Sequence, residues 1–226
     1  MKYIIIPARG GSKGIKNKNL RKIQGMNLVE WSIIHAKFIS KKEDKIIISS
    51  DSEKILNIAK KMHVIAHKRP DELSGDKVFT EPVMVDAISK YNCEENDLII
   101  LLQPTSPLRR KSTILNCLKA VEEEKYDSSL TLRNTHLFFW SKDSEVFSPQ
   151  YSERPRRQDM TGQFSETGSV YVTKYKDFKK SGLRLSGKTK GIVSEYSESF
   201  DIDTIEDLRI SRLLSKDYVD EWKEFI

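Results

Sequence analysis

Short runs of apolar residues alternate with longer amphipathic segments through the first 125 residues of the chain. The apolar runs predict buried β-strands at residues 3–6, 46–50, 64–66 and 98–102. The longer segments carry apolar residues at helical spacing and predict helices at residues 27–39, 52–62, 80–91 and 112–125. Strands and helices in alternation are typical of βαβ units, so the pattern predicts a three-layer α/β fold with a mostly parallel central sheet.

The pattern changes in the second half of the chain. Segments 129–133 and 169–173 alternate between apolar and polar residues as half-exposed strands do, whereas 134–167 mixes aromatic residues, prolines and charges. An irregular stretch of this length is usually functional or covered by a partner. Further on, Thr204 followed by Asp207 approximates a capping box and predicts the start of another helix.

Length and composition exclude several classes of protein. The 226 residues can bury a substantial core, and we expect a single domain over residues 1–226. No window approaches the roughly 18 apolar residues of a membrane span, and the first apolar run is too short for a signal peptide, so we expect a soluble, cytoplasmic protein without a membrane partner. Two cysteines, Cys93 and Cys117, and four histidines match neither a disulfide framework nor a zinc site.

The charge balance favours anionic ligands. Lys and Arg number 39 against 33 Asp and Glu, which gives a formal net charge of +6. The densest basic stretch is 13–22, and a smaller one contains Arg154, Arg156 and Arg157. Charge alone does not separate phosphate ligands from nucleic acid. A non-catalytic basic module that binds nucleic acid is therefore an alternative, and it predicts a steep salt dependence of binding.

The first predicted strand runs directly into a glycine-rich turn, Pro7–Gly14. Glycines let backbone N–H groups approach an anion, and Arg9 and Lys13 supply charge-assisted donors, which is the composition of a phosphate cradle. The turn is not a P-loop, because Ile15 follows the last glycine, and it does not fit the dinucleotide fingerprint. The alternative is a strand-to-helix turn without a ligand.

Asp201 and Asp203 lie two residues apart in a segment with an extended pattern, so both side chains are expected on one face. Paired carboxylates repel each other unless a cation or a proton lies between them. The pair is therefore a candidate Mg²⁺ site that bridges to phosphate oxygens. In the alternative interpretation, Asp203 only precedes the helix cap and Asp201 faces solvent.

Gln103 follows the most apolar predicted strand at its carboxyl end, where open α/β sheets bind their ligands. Pro104 and Pro107 can alternatively make this segment a rigid turn without a ligand. Arg109 and Arg110 follow, and we interpret them either as contacts to a sugar acid or a second subunit, or as a solvated basic pair.

Six blocks of the sequence occur in one order over nearly the whole chain: 6–20, 49–52, 67–73, 102–109, 166–171 and 200–204. The first block reads IPARGGSKGIKNKNL. Together the blocks closely resemble the bacterial cytidylyltransferases that activate sialic acid and related nine-carbon sugars. Any single block is a weak signal, but six in order are specific.

The resemblance implies a nucleotide-binding α/β domain and a nucleotidyl transfer. In that reaction the anomeric hydroxyl of a 2-keto-3-deoxy acid sugar attacks the α-phosphate of CTP, which gives a CMP-sugar and pyrophosphate. The resemblance also implies Mg²⁺ as cofactor, CTP and a nonulosonic acid as substrates, and no nucleic-acid partner. Such a reaction depends mainly on positioning and electrostatics.

The resemblance also implies roles for individual residues. The catalytic residues would be Arg9, Lys13 and Asp203, and the metal ligands Asp201 and Asp203. The nucleotide would be bound by Ala8, Arg9, Gly10, Gly11, Ser12, Lys13, Lys18, Asn19, Arg69 and Thr80. The sugar would be bound by Gln103, Arg157 and Gly168.

Segment 134–167 resembles the family's protruding arm, which pairs two subunits, so we expect a homodimer. Its aromatic residues fit that role, because an irregular stretch cannot bury them alone. Arg157 is then expected to reach the sugar from the partner subunit.

One departure from the family concerns the acceptor sugar. Where the sialic acid branch commonly carries an arginine before the late glycine, this chain has Ser165 and Thr167. Legionaminic acid is therefore nearly as strong a candidate for the acceptor sugar as N-acetylneuraminic acid. A CMP-Kdo synthetase, acting on an eight-carbon sugar, is the alternative within the enzyme class.

Overall fold

The computed structural model describes residues 1–160 and 162–226. The β-strands are β1 (Lys2–Pro7), β2 (Lys22–Ile23), β3 (Met26–Asn27), β4 (Lys45–Ser50), β5 (Ile65–Lys68), β6 (Leu98–Leu102), β7 (Ser128–Asn134), β8 (Trp140–Asp143), β9 (Val146–Pro149), β10 (Phe164–Lys174) and β11 (Thr189–Val193). The α-helices are α1 (Leu28–Ile39), α2 (Glu53–Lys61), α3 (Thr80–Ile88), α4 (Lys111–Glu122), α5 (Tyr175–Ser181), α6 (Ile205–Leu214) and α7 (Lys216–Trp222).

Seven of the strands form one sheet in the order β11-β7-β10-β6-β1-β4-β5. Every neighbouring pair is parallel except the two that involve β10, which runs opposite to the other six strands. The most apolar strand, β6, lies at the centre, as its composition predicts. The predicted α/β fold with a mostly parallel sheet is confirmed.

The core lies on both faces of this sheet, because side chains alternate between the faces along each strand. On β1, Ile4 and Ile6 pack with apolar residues of α1, α2, α4, α6 and α7, whereas Tyr3 and Ile5 pack on the opposite face with residues of α3 and α5. Helices therefore cover the sheet on both sides and give the three layers that the sequence predicts.

Two helix starts follow directly from local chemistry. The side chain of Asn27 accepts a hydrogen bond from the Glu30 N–H at the start of α1, and Thr204 accepts one from Asp207 at the start of α6. Each helix has the reciprocal bond of a capping box. The predicted helix start at Thr204 is confirmed.

The prediction that segments 129–133 and 169–173 are half-exposed is wrong. Strand β10 is covered by apolar residues of α4 on one face and by Phe178 of α5 on the other. The polar residues of β7 are buried as well, because their hydroxyls find partners: Ser129 Oγ donates to Cys117 O at 2.7 Å, and Ser128 Oγ donates to Ser186 O at 2.9 Å.

The segment 134–167 is less irregular than its sequence predicts. Strands β8 and β9 pair in it as an antiparallel hairpin whose residues are all exposed, and β10 already begins at Phe164. Thr161, which belongs to the predicted arm, lies outside the described residues. Over the described part of the chain, no helix has the length and apolar character that a membrane span requires.

Candidate active site

A cleft of about 250 Å³ opens at the carboxyl ends of β1, β5 and β6. Parallel strands end at the same edge of a sheet, so loops that are distant in sequence meet there. Of the residues with predicted site roles, those that line the cleft are Arg9, Gly11, Ser12, Lys18, Asn19, Arg69, Thr80 and Gln103. Ala8, Gly10, Lys13, Arg157, Gly168, Asp201 and Asp203 do not line it.

Two backbone N–H groups of the glycine-rich turn are already hydrogen-bonded within the protein. Ala8 N–H donates to Ser49 O at 2.9 Å, and Gly10 N–H donates to Asp51 Oδ1 at 2.7 Å. Neither amide can donate to a phosphate while these bonds are present. Of the backbone N–H groups from Ala8 to Ser12, those of Arg9, Gly11 and Ser12 are therefore the ones left as candidates for binding a nucleotide.

The two cations of the turn share one carboxylate, which the sequence analysis did not single out. Arg9 Nη1 lies 2.5 Å from Asp76 Oδ1, and Lys13 Nζ lies 2.9 Å from Asp76 Oδ2. Hydrogen bonds from Lys13 and Arg9 hold the pKa of Asp76 below its ordinary value. Asp76 lies between two of the recognised blocks, and only its position between Arg69 and Thr80 could have drawn attention to it.

The glycine-rich turn and the residues that follow it contact the aspartate segment near residue 202. Lys18 Nζ lies 2.8 Å from Asp203 Oδ1. Gly14 packs so closely on the carbonyl oxygen of Asp203 that a side chain at position 14 would collide with it. Ile202 N–H in turn donates to Thr105 O at 2.8 Å. These contacts bring the amino-terminal loop, the loop after β6 and the aspartates together at one edge of the sheet.

Asp201 adjoins Gln103 and Gly168. Gly168 has a φ of +70°, and a Cβ at this position would lie 3.1 Å from Gln103 Oε1 and 3.7 Å from Asp201 Oδ2. Ser106 Oγ approaches Asp201 Oδ1 at 3.5 Å. Although Asp201 as a residue is exposed, protein atoms crowd its carboxyl group, and this loss of hydration raises its pKa, to which the charge of Asp203 adds.

The two aspartates fit a Mg²⁺ ion. No group of three or more His, Cys, Asp or Glu side chains converges as a metal site within residues 1–160 and 162–226. Mg²⁺ commonly takes only one or two protein carboxylates and fills its other positions with phosphate oxygens and water. Asp201 and Asp203 are the two carboxylates available for such an ion; loss of hydration raises the pKa of Asp201, and the neighbouring charge of Asp203 adds a repulsion that a cation would relieve.

Another part of the cleft lining combines a buried cation with apolar side chains. Arg69 is buried, donates through Nη2 to Ser49 O at 2.8 Å and has its pKa lowered by that burial. Leu73, Val83 and Phe79 line the cleft as well, and Phe79 is 77% exposed. Such a wall suits a flat, partly polar ring.

A second buried arginine holds the loop after β6. Arg109 is 0% exposed and donates through Nη2 to Gln103 O at 2.5 Å and to Ser169 O at 3.0 Å, while Nη1 lies 3.1 Å from His35 Nδ1. Desolvation lowers the pKa of Arg109 to about 9, so the guanidinium stays charged at neutral pH. Both interpretations of Arg109 from the sequence are wrong, because its burial excludes solvent, sugar and subunit contacts alike.

Comparison with known proteins decides the family. A family model described as cytidylyltransferase matches residues 3–222. The chain belongs to the cytidylyltransferase family. The resemblance carried by the six sequence blocks is thereby confirmed.

Three curated proteins are similar to this cytidylyltransferase over most of its length. Post-translational flagellin modification protein B of Campylobacter coli is 32% identical over 97% of each chain. CMP-N,N'-diacetyllegionaminic acid synthase of Campylobacter jejuni is 31% identical over 92% of each chain. N-acylneuraminate cytidylyltransferase A of Danio rerio is 31% identical over 88% of this chain, which spans about half, 47%, of that longer relative.

A solved structure has the same fold as this cytidylyltransferase. CMP:2-keto-3-deoxy-manno-octonic acid synthetase complexed with CTP superposes with a TM-score of 0.68, over 96% of this chain and 99% of the other. The two sequences are 15% identical, so the likeness shows the fold alone.

One predicted sugar-binding residue of the cytidylyltransferase lies elsewhere. Arg157 is exposed in a short 3-10 turn, Arg157–Asp159, within the predicted arm. It does not line the cleft of its own chain. A role for Arg157 in the partner's site stays a prediction.

Proposed function

We propose that this cytidylyltransferase couples CTP to a nine-carbon 2-keto-3-deoxy acid sugar, N-acetylneuraminic or legionaminic acid, and releases pyrophosphate. The observation that carries the proposal is the contact between segment 7–18 and the aspartate segment. Lys18 forms an ion pair with Asp203, and Gly14 packs on the carbonyl oxygen of Asp203. A triphosphate needs cations along its length, and its α-phosphate must lie where an acceptor can attack in line. The names of the similar proteins support the same sugar class.

In the proposed complex the nucleotide occupies the cleft. Arg9 and Lys13 bind the triphosphate oxygens, with Gly11 and Ser12 donating backbone N–H groups. The cytosine and ribose lie near Arg69 and Thr80, which line the same cleft. Lys18 is paired with Asp203. When the pair separates, the Lys18 ammonium group can bind an oxygen of the α-phosphate.

The acceptor sugar is placed beside Gln103 and Gly168. Asp201 Oδ2 faces Gly168 and is the oxygen we assign to holding the attacking hydroxyl. A carboxylate in contact with that hydroxyl can also take its proton, so Asp201 is our candidate for the general base. Arg109 keeps the backbone of Gln103 and Ser169 fixed, and this positions both sides of the acceptor site.

We propose Mg²⁺ as the cofactor, held by Asp201 and Asp203. When bound, the ion neutralises the phosphate charge that develops during transfer. The side chain of Asp203 is 72% exposed, so an ion that arrives with the nucleotide can reach it and displace Lys18.

We propose a homodimer that forms through the arm. The described part of the arm exposes large apolar side chains, namely Leu137, Phe139, Trp140, Val146 and Phe147. Light scattering should give twice the mass of one chain for the native protein and a single-chain mass for the double variant Trp140→Ser/Phe147→Ser. Leu213→Ser, which removes an exposed leucine of α6, is the control. A single-chain mass for the native protein would contradict the proposal.

The compartment is proposed from the substrate. CTP is a cytoplasmic nucleotide, so we place the enzyme in the cytoplasm.

CTP-dependent pyrophosphate release tests the proposed reaction. The panel contains N-acetylneuraminic, legionaminic, pseudaminic and Kdo acids, each with Mg²⁺. Turnover with one of the first two acids is expected, and turnover with Kdo alone would favour the eight-carbon alternative. Absence of turnover together with salt-sensitive binding of DNA or RNA would support the nucleic-acid alternative.

A further inference from the structure

Asp76 lies on the loop between the short turn Asp71–Leu73 and α3, and it lines the cleft. Its two carboxylate oxygens bind separate cations: Oδ1 lies 2.5 Å from Arg9 Nη1, and Oδ2 lies 2.9 Å from Lys13 Nζ. A single acidic residue thus engages both cations that are assigned to the triphosphate. Among the described residues, neither Arg9 nor Lys13 forms another ion pair.

The ion pairs of Asp76 with Arg9 and Lys13 are exposed, so the two cations can exchange Asp76 for another anion. The side chain of Asp76 is 40% exposed and that of Lys13 is 79% exposed. Ion pairs between exposed groups contribute little to stability, because water solvates the separated charges well. The buried guanidiniums of Arg69 and Arg109 differ, since each is bound to carbonyl oxygens inside the protein.

A triphosphate and Asp76 compete for the same donors. Arg9 and Lys13 can direct their N–H groups at phosphate oxygens only after they leave the carboxylate, and a carboxylate left between them would repel the phosphate. We propose that Asp76 is an internal ligand of the phosphate site, which holds Arg9 and Lys13 in place until a polyphosphate displaces it. This inference rests on the proposed function, in which these two cations bind the triphosphate.

The competition has a consequence for both substrate and product. When Asp76 occupies the donors for part of the time, the site binds polyphosphate with an apparent affinity reduced in proportion to the fraction of sites that are open. The same carboxylate returns to Arg9 and Lys13 when pyrophosphate leaves. Asp76 therefore weakens the binding of pyrophosphate and speeds its release.

Calorimetric titration of the 226-residue protein with inorganic pyrophosphate tests the inference without CTP or sugar. The variant Asp76→Asn is expected to bind pyrophosphate at least about threefold more tightly than the native protein. Glu72→Gln is the matched control, because it removes the same charge from the neighbouring turn and Glu72 forms no ion pair among the described residues. It is expected to change the affinity by less than about 1.5-fold.

The outcomes separate the two proposals. Equal or weaker pyrophosphate binding by Asp76→Asn, or equal tightening by Glu72→Gln, overturns the role of Asp76 and leaves the proposed function standing. Absence of pyrophosphate binding in both native protein and variant overturns both. Asp76→Ser is a second variant that lacks the charge, should Asp76→Asn not fold.

Hydrogen exchange on the native protein provides a test without substitution. Pyrophosphate should lower the protection of backbone amides in residues 74–79, because the loop loses its anchor on Arg9 and Lys13. Val78 N–H, which donates to Gly75 O at 3.3 Å, is the reporter within the loop. Unchanged or increased protection of these amides would overturn the inference.

Discussion

The two regions that we propose for the phosphates and for the acceptor sugar, called the phosphate end and the acceptor end, differ in how their charged residues are held. At the phosphate end, Arg9 and Lys13 are solvent-accessible and share one exposed carboxylate, Asp76. At the acceptor end, Gln103 and Ser169 are held through their carbonyls by Arg109, which is inaccessible to solvent.

The difference follows from what each end has to do. Phosphates arrive and leave as strongly hydrated polyanions, so the donors that bind them must exchange partners at small cost. The acceptor hydroxyl must be held within tenths of an ångström of the α-phosphate, so its neighbours need a fixed backbone. The charged groups of the first end are therefore exposed, and the positioning charge of the second is buried.

The largest expected effect lies where the two ends meet. Asp203→Asn should lower CTP-dependent CMP-sugar formation about 10²- to 10³-fold while the fold is retained, because one carboxylate of the proposed Mg²⁺ site is lost. Initial rates at saturating Mg²⁺ measure the effect, and circular dichroism checks the fold. The control Glu206→Gln removes an exposed acid three residues further on. Unchanged turnover of Asp203→Asn would remove this residue from the site.

The fixed end should respond through stability. Arg109→Met leaves the Gln103 and Ser169 carbonyls without their buried donor, and we expect the free energy of unfolding to fall by about 2–3 kcal/mol. Arg110→Met, which removes a partly exposed cation bound to Glu221, should cost about 1 kcal/mol or less. Urea denaturation compares the two variants. Equal losses for both would contradict the distinction between a buried positioning charge and a surface one.

The arm should act on the acceptor end alone. Arg157→Ala is expected to raise KM for the acceptor sugar about tenfold and to leave KM for CTP unchanged, because one charge–carboxylate contact is lost. Arg156→Ala is the neighbouring control, since Arg156 pairs with Asp159 inside the same turn. An equal rise in KM for the sugar and KM for CTP would show that Arg157 does not bind the sugar specifically.

The smallest effect is a shift on the pH axis. Protonation of Asp201 abolishes its role, so activity is lost as the pH falls through its pKa, which is raised above the ordinary value. The Ser106 hydroxyl lowers that pKa by donating to the carboxylate. Ser106→Ala should therefore move the acid limb of kcat upward by about 0.3–0.5 pH units. A downward shift, or none, would contradict the assignment.

The elements that the sequence predicts best are those whose pattern is governed by burial alone. Strand β6 and helix α1 lie within one residue of their predicted bounds. Their apolar residues fit the spacing of only one kind of element, so the pattern determines both the type and the bounds. The burial of β7 could not be predicted, since Ser128 and Ser129 have the polarity of surface residues, and only the tertiary fold supplies acceptors for their hydroxyls.

The residues of the candidate site divide in the same way into those that the sequence identifies and those that only the fold reveals. Lys18 and Asp203 belong to recognisable blocks, and they form an ion pair where the amino-terminal loop meets the aspartate segment. Asp76 and Arg109 could not be assigned from sequence. The contact of Asp76 depends on where a loop folds, and charged side chains such as that of Arg109 are normally found at the surface.

The central claim is that the cationic turn and the aspartates act on one nucleotide. Calorimetric titration of CTP with and without Mg²⁺, on the native protein and on Asp203→Asn, tests this claim most directly. The account predicts that Mg²⁺ tightens CTP binding at least about tenfold in the native protein, and that the gain disappears in Asp203→Asn. The same Mg²⁺-dependent gain in both proteins would contradict it.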